Sequence, residues 1–247
     1  MHPALQRDLE HHERLYSGPA QELFARPAVR AMRRHLVKRI RGLTHSRARV
    51  LSLGCGIADT ELLLAPQVGE IVGFDLSPAA IRQAREDAER AGQKNVRFVE
   101  GTIDQVEGKF DLVIAIFFLH HLPDGMLEAA PGNIWKQLAP GGAFYSLDPS
   151  RQRLSGAVGS LVVPHLMKKY QTPDERELDP RATGRLFEEA GFETRVGHYD
   201  FLSSPLAGLL PGWKSGYVGA RWLDDVLIRM PLVRKLGSNF EVIARRK

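Results

Sequence analysis

VLSLGCGIADTE, residues 50–61, holds a strand, a turn and the start of a helix in one short run. Val50, Leu51 and Leu53, with Ser52 between them, read as a buried strand, and Gly54-Cys55-Gly56 forces a tight turn into a helix. Glycine leaves the backbone bare, so that a ligand can lie against it. The free amides that open the new helix favour a polar or anionic group. Such a turn serves several cofactors and is also what a plain tight turn looks like. A second apolar run, EIVGF at 70–74, ends in Asp75 about twenty residues downstream, where in a doubly wound sheet an acidic side chain can hold ribose hydroxyls. A nucleoside-containing cofactor is the expected occupant.

Strand and helix signals alternate outward from this turn. Thr60 continues the first helix, and Ser77-Pro78 opens another that runs to about residue 91, with Ser77 suited to the N-cap and Pro78 to the first helical position. NVRFVE (95–100) alternates as a third strand and Gly101-Thr102-Ile103 turns away from its end. FDLVIAIF (110–117) is almost uniformly apolar, as a central parallel strand covered on both faces should be. LHHLPD (119–124) follows, then a helix to about residue 138, a turn at Pro140-Gly141-Gly142 and a fifth strand at 143–147. A helix at 179–190, a sixth strand at 192–202 and a last strand, FEVIAR at 240–245, complete the alternation. The pattern predicts one doubly wound α/β sheet, with ligands at the carboxyl ends of its strands.

Three segments stand outside that pattern. Residues 1–45 read as a helical cap on a domain spanning 46–247, with a break around Ser17-Gly18-Pro19. The helix expected at 21–41 has an apolar stripe and seven cations, among them Arg33 and Arg39. A solvated face with snorkelling side chains is the reading preferred over a binding surface. His11, His12 and Tyr16 precede it and read as surface residues, although they could reach over a pocket. Two insertions are expected, at about 149–178 and 203–238. The first holds the apolar, Gly- and Pro-interrupted SGAVGSLVVPHLMKKY (155–170) and looks like a lid. The second sets Trp213, Tyr217 and Trp222 close to Lys214, Arg221, Arg229, Arg234 and Lys235, though it also carries Asp224 and Asp225.

Composition excludes little but excludes it clearly. The chain has 247 residues, 43% of them hydrophobic and 26% charged, as in an ordinary globular protein. A net charge of +5 is compatible with an anionic partner without being diagnostic of nucleic acid. One cysteine rules out an internal disulfide and a cysteine-cluster metal site, and fits a reducing compartment. The sequence shows no signal-peptide core and no run of about eighteen apolar residues, so a cytoplasmic protein that does not span a membrane is expected, with surface attachment open.

The GCG turn, Asp75, Gly101-Thr102, FDLVIAIFFLHHLPD (110–124), LAPGGAFYSLDP (138–149), AGF (190–192) and the final strand, in this order, resemble the class I S-adenosylmethionine-dependent methyltransferases that act on small molecules and lipids. The likeness is strong over 49–148 and loose over 179–247. It implies a mostly parallel, seven-stranded sheet whose last strand returns antiparallel beside the sixth, with helices on both faces. It also implies S-adenosyl-L-methionine as the cofactor. Carried over by position, Gly54, Cys55 and Gly56 would pass beneath the amino acid part of the cofactor, Asp75 would accept from both ribose hydroxyls, and Leu76 would lie against the adenine. Thr102 and Ile103 stand where the family usually has Asp and a small apolar residue, and Thr102 accepts more weakly than a carboxylate. Ala115, Ile116 and Phe117 would flank the methionine portion and the methyl group. Two further departures are Ser52, in place of an acidic residue, and Ala58, in place of a third glycine, where a residue in a helical first turn would meet no φ conflict.

Methyl transfer needs a nucleophile aligned behind the sulfonium methyl, so positioning in a dry pocket can supply most of the catalysis. His120 and His121, just past the fourth strand, are the candidate bases for a hydroxyl or acidic carbon, set against a purely structural role for the pair. His165, Tyr170, His198 and Tyr199 are weaker candidates, and Cys55 a poor nucleophile because the turn uses its backbone. The insertions suggest a small apolar or lipid-like acceptor or contact with an anionic membrane surface, against completion of the core or a dimer contact. Three other functions are weighed. RNA or DNA methylation would draw on the basic helix but lacks a polar-Pro-Pro-aromatic loop after the fourth strand. A non-catalytic cofactor-binding module is compatible with Ser52, Ala58 and Thr102. A nicotinamide dehydrogenase would leave the final strand unexplained.

Overall fold

A computed structural model of the chain describes residues 2–18, 20–102, 108–153, 176–231 and 233–247. Its strands are β1 (Arg49–Leu53), β2 (Glu70–Asp75), β3 (Val96–Glu100), β4 (Phe110–Ile116), β5 (Leu138–Pro149), β6 (Glu193–Asp200) and β7 (Asn239–Arg245). They form one seven-stranded sheet in the order β3-β2-β1-β4-β5-β7-β6. Pairing is parallel from β3 to β5, and β7 runs antiparallel between β5 and β6. The expected mixed sheet with a reversed last strand is therefore present. The direction of winding changes between β1 and β4, which opens a crevice beyond their carboxyl ends.

Strand periodicity divides the core. Val50, Ile71, Leu112, Ile114 and Tyr145 face α3 (Pro27–Arg41), which seats Leu36, Val37 and Ile40 on them. Their neighbours Leu51, Val72, Val113 and Phe144 face the other way, onto α6 (Asp124–Gln137) and α7 (Pro180–Glu189). Phe187 of α7 stacks on Phe144 with ring centres 4.7 Å apart. Two helices begin as the sequence suggests. Ser77 Oγ accepts from Ala80 N at 3.0 Å with Pro78 at the first position of α5 (Pro78–Arg90), and Asp179 Oδ1 accepts from Arg181 N and Ala182 N ahead of α7.

Several boundaries differ from expectation for local reasons. The helix expected at 21–41 is two, α2 (Ala20–Ala25) and α3, because Pro27 drives Arg26 into extended geometry at ψ 145°. Pro140-Gly141-Gly142 lies within β5 as a bulge: Phe110 pairs with Leu138 and Leu112 already with Ala143, and Gly141 takes a φ of +76°. The second insertion builds α8 (Ser203–Leu209) and α9 (Lys214–Leu227), which extend the α3 layer. Ala207 and Tyr217 pack with Ala28 of α3, and Ala28 N donates to Pro211 O at 2.8 Å. Most of the first insertion, 154–175 with His165 and Tyr170, lies outside the described residues. Among the described residues no helix is long and apolar enough to cross a membrane.

The basic stripe of α3 is partly spent inside the molecule. Arg33 Nε donates to Asp59 Oδ2 at 2.7 Å and its guanidinium stands 5.7 Å from the ring centres of Phe24 and Phe117. Arg39 Nε donates to Glu241 Oε2 of β7 at 2.9 Å. These two cations tie α3 to its neighbours instead of lying on a solvated face, because Asp59 and Glu241 stand opposite them.

Candidate cofactor and acceptor site

The glycine turn takes the backbone where only glycine goes freely, with φ +63° at Gly54 and +52° at Gly56. Gly56 N donates to Asp75 Oδ2 at 2.8 Å and Ser77 N donates to Asp75 Oδ1 at 2.9 Å, so the carboxylate is pinned at the bend. Burial raises the Asp75 pKa, and the Ser77 and Gly56 amides hold part of that rise back. Cys55 supplies backbone, as expected: its N–H donates to Phe74 O at 2.7 Å, its side chain is buried, and burial pushes the thiol pKa well up. Ala58, by contrast, does meet a φ conflict, sitting left-handed at φ +60° directly before α4 (Asp59–Leu64). Phe117, directly after β4, is also left-handed at φ +53°, held by an N–H bond to Leu147 O of 2.8 Å. A bulky residue there stores strain at the crevice.

The acid missing from the strand at Ser52 comes instead from α4. Ser52 Oγ donates to Glu61 Oε1 at 2.6 Å, and both side chains are buried. Burial pushes the Glu61 carboxyl up to about 7, opposed by the Ser52 bond.

Above the turn lies a cavity of about 190 Å³. Leu53, Gly54, Asp75, Leu76, Thr102 and Phe117 form its floor, Phe118, Leu119, His121 and Leu122 one wall, and Met126, Ala130 and Ile134 of α6 another. Its roof is α1 (Pro3–Tyr16), which presents Leu5, Asp8, Leu9, His12 and Tyr16 at the spacing of one helix face. Glu13 holds this roof to the start of α5, accepting from Ala79 N at 3.0 Å and from the Ser77 hydroxyl. A carboxylate there is favoured by the helix dipole.

Three titratable groups meet under the roof. Asp8 Oδ1 lies 3.2 Å from His121 Nδ1, Asp8 Oδ2 lies 3.5 Å from His12 Nδ1, and the His12 and His121 rings meet edge to face at 5.1 Å. Burial alone would raise the Asp8 pKa, but His12 and His121 outweigh it and hold the carboxyl below its usual range. His12 is the converse: burial would lower it, and the bonds to Asp8 carry it above its usual value.

Of the residues singled out in the sequence, Gly54, Asp75, Leu76, Thr102, Phe117 and His121 border the cavity. Gly56 touches it through the Asp75 bond, while Cys55 faces the α5 core and Ala115 and Ile116 belong to the two core layers. Ile103 lies outside the described residues. His120 is buried away from the cavity lining, with Nδ1 2.9 Å from Asp148 Oδ1, an arrangement that fixes the loop after β4. His198 and Tyr199 lie on β6, where Tyr199 packs on the α3 side and Arg221 donates to its carbonyl at 2.9 Å. The sequence reading left His12 and Tyr16 as surface residues and passed over Asp8. Their recurrence every fourth residue with Leu5 and Leu9 was the available signal.

A nucleoside sulfonium suits these residues in kind: bare backbone, a pinned carboxylate and apolar walls. A Cβ on Gly54 would come 2.3 Å from the Phe118 ring, and one on Gly56 2.7 Å from the Tyr16 hydroxyl, so these two side chains already lie on the bare backbone. The cavity is smaller than the roughly 300 Å³ at which ligand pockets begin. Phe118 and Tyr16 must therefore turn aside for a ligand to reach the turn. Among the described residues no cluster of His, Cys, Asp and Glu could hold a metal ion.

Residues 50–142 match the family described as Methyltransferase domain. An uncharacterized methyltransferase from Synechocystis is 29% identical over 150 residues, 58% of this chain and 66% of that protein. Demethylmenaquinone methyltransferase from Listeria welshimeri is 28% identical over 113 residues, 43% of this chain and 47% of that protein. The chain thus spans less than two thirds of either relative. Among solved structures, the N-methyltransferase NodS from Bradyrhizobium japonicum, in complex with S-adenosyl-L-homocysteine, superposes with a TM-score of 0.61 over 96% of this chain and 97% of that one, at 16% identity. At that identity the likeness is one of fold.

Proposed function

We infer that this chain, whose residues 50–142 match the Methyltransferase domain family, is a class I S-adenosylmethionine-dependent methyltransferase that moves a methyl group from that cofactor to a small apolar or lipid-like acceptor carrying one protic group. The observation that carries the reading is the Asp75 carboxylate pinned to Gly56 N at 2.8 Å at the edge of a cavity with apolar walls. The relative named for demethylmenaquinone supports an apolar acceptor. The reaction is assigned to the cytoplasm on the single, buried cysteine.

Asp75 would accept from the ribose hydroxyls, Leu76 and Thr102 would border the adenine, and the Gly54–Gly56 backbone would carry the amino acid part. The cofactor supplies an electrophilic methyl. What the protein adds is alignment, dryness and one place for a proton. Leu5, Leu9, Leu122 and Met126 exclude water from the acceptor. His121, with Nδ1 toward Asp8, has Nε2 to take the proton that a hydroxyl loses as it attacks, and the Asp8 carboxylate balances the resulting imidazolium. His120 acts through the loop and not on the acceptor, because Asp148 engages it out of the cavity.

Incubating the protein and methyl-labelled cofactor with cell extract tests the reading, with label expected in an organic-soluble product. His121→Asn should lower kcat by roughly 10²–10⁴-fold with cofactor affinity unchanged. Ser52, Ala58 and Thr102, which depart from the family's pattern, support a second reading, a cofactor-binding module without turnover. Cofactor binding in a calorimeter with no labelled product would select it, and absence of binding would overturn both.

A further inference from the structure

The outward side of α9 is apolar. Val218, Trp222 and Val226 recur at the i, i+4 spacing that lines up one side of a helix, and they are 54%, 70% and 43% exposed. Tyr217, Arg221 and Asp224, on the inward side, are buried. The surface continues into the bend before the helix, where Leu209, Leu210 and Trp213 are 47%, 48% and 53% exposed, and past its end to Met230 at 46%. An apolar helix face pointing outward on a chain of ordinary composition marks a contact surface.

Charge identifies the partner. The acids of residues 202–236 are Asp224 and Asp225. Asp224 is buried and accepts from Leu202 N at 3.0 Å and Ser203 N at 2.9 Å, and Asp225 is paired with Arg221 at 2.9 Å. Lys214, Arg229, Arg234 and Lys235 are exposed and have no ion-pair partner among the described residues. The face therefore offers tryptophan and aliphatic side chains edged by unneutralised cations. A second copy would bring the same cations against these, whereas an anionic bilayer accepts the rings at headgroup depth and the cations at its phosphates. We propose that α9 and the 209–213 bend dock the protein on an anionic phospholipid surface. The bend is bonded to the first turn of α3 through Ala28 N, and α3 is tied through Arg33 to Asp59 at the start of α4, so contacts run from the docked face to the helix that leaves the glycine turn. The proposal is independent of the methyl-transfer reading and is tested without turnover.

Sedimentation of the full chain with vesicles of phosphatidylcholine alone, and of phosphatidylcholine mixed with phosphatidylglycerol, reads it directly. Binding is expected to the anionic vesicles, weakening as salt is raised, with a blue shift of tryptophan emission. The double variant Val218→Ser, Trp222→Ser removes only exposed groups. It should keep the wild-type melting temperature and lose about tenfold or more in vesicle affinity. Failure of the wild type to bind anionic vesicles, or unchanged binding by the folded double variant, overturns the proposal. So does a concentration-dependent dimer that the double variant abolishes in the absence of vesicle binding.

Discussion

Ser52 and Glu61 share a buried hydrogen bond of 2.6 Å, Ser52 Oγ donating, between the strand that enters the glycine turn and the helix that leaves it. The acid absent from β1 is thereby restored beneath the turn from α4. Burial raises the Glu61 pKa from 4.5 to about 7, so the folded state holds a proton there that the unfolded chain releases. The contribution to stability is full below about pH 4.5 and lost as pH rises through 7, a difference of roughly 3 kcal/mol at the scale of 1.36 kcal/mol per unit. Urea denaturation at pH 5.5 and pH 8 should find the wild type weaker at the higher pH. Glu61→Gln, which still accepts from Ser52 without ionising, should reduce that dependence, leaving the share that His12 contributes.

Asp75 spends two hydrogen bonds on Gly56 and Ser77 and keeps acceptor capacity toward the cavity. Asp75→Ala should weaken binding of S-adenosyl-L-homocysteine by roughly 1.5–3 kcal/mol in a calorimeter. Unchanged affinity in a folded variant would refute the assignment to the ribose.

Ala58 is left-handed at φ +60°, a conformation that costs an L-residue about 1–2 kcal/mol and glycine nothing. Its methyl is fully buried, which offsets part of that gain when it is removed. Ala58→Gly is expected to be more stable than wild type by up to about 1 kcal/mol, and Ala58→Val less stable by about 2 kcal/mol or more. Thermal melts of the three proteins in parallel give the order.

The Asp8, His12 and His121 cluster makes the seating of α1 depend on pH. With His12 raised above 6.5, its contribution is complete below 6.5 and lost as pH rises through the folded value. With Asp8 lowered from 3.8, its contribution is complete above 3.8 and lost as pH falls through its lower folded value. The roof should therefore be held most firmly between about pH 4 and 6.5. In proton NMR the His12 ring should titrate above the free value in the wild type and move down in Asp8→Asn. A His12 that titrates identically in both proteins would remove the coupling.

Local rules carried much of this molecule. The alternation in 50–100 and the unbroken apolar run at 110–117 were enough for a doubly wound sheet, because side-chain period and burial on both faces leave few other solutions. Gly54, Gly56 and Asp75 announced the turn through backbone freedom and one well-placed carboxylate, both readable from type and spacing. Pro27, by contrast, stood in plain view, and the break at Arg26 that it causes could have been read.

Other features were set only by residues distant in the chain meeting in space. Asp8 against His121, Glu61 beneath Ser52 and Glu13 at the start of α5 join segments whose separations carry no periodic signal, so composition alone treats each as an ordinary polar residue. Tyr16 and Phe118 lying on the glycine turn belong to the same class. Ala58 looked like a helical residue until the turn before it required a left-handed step. The sequence by itself determined the layers and the bend that a cofactor would need, since those follow from short-range sterics and hydrophobic period. Tertiary packing alone decided which acids and imidazoles face that bend, because desolvation and pairing depend on what the folded chain brings within a few ångströms.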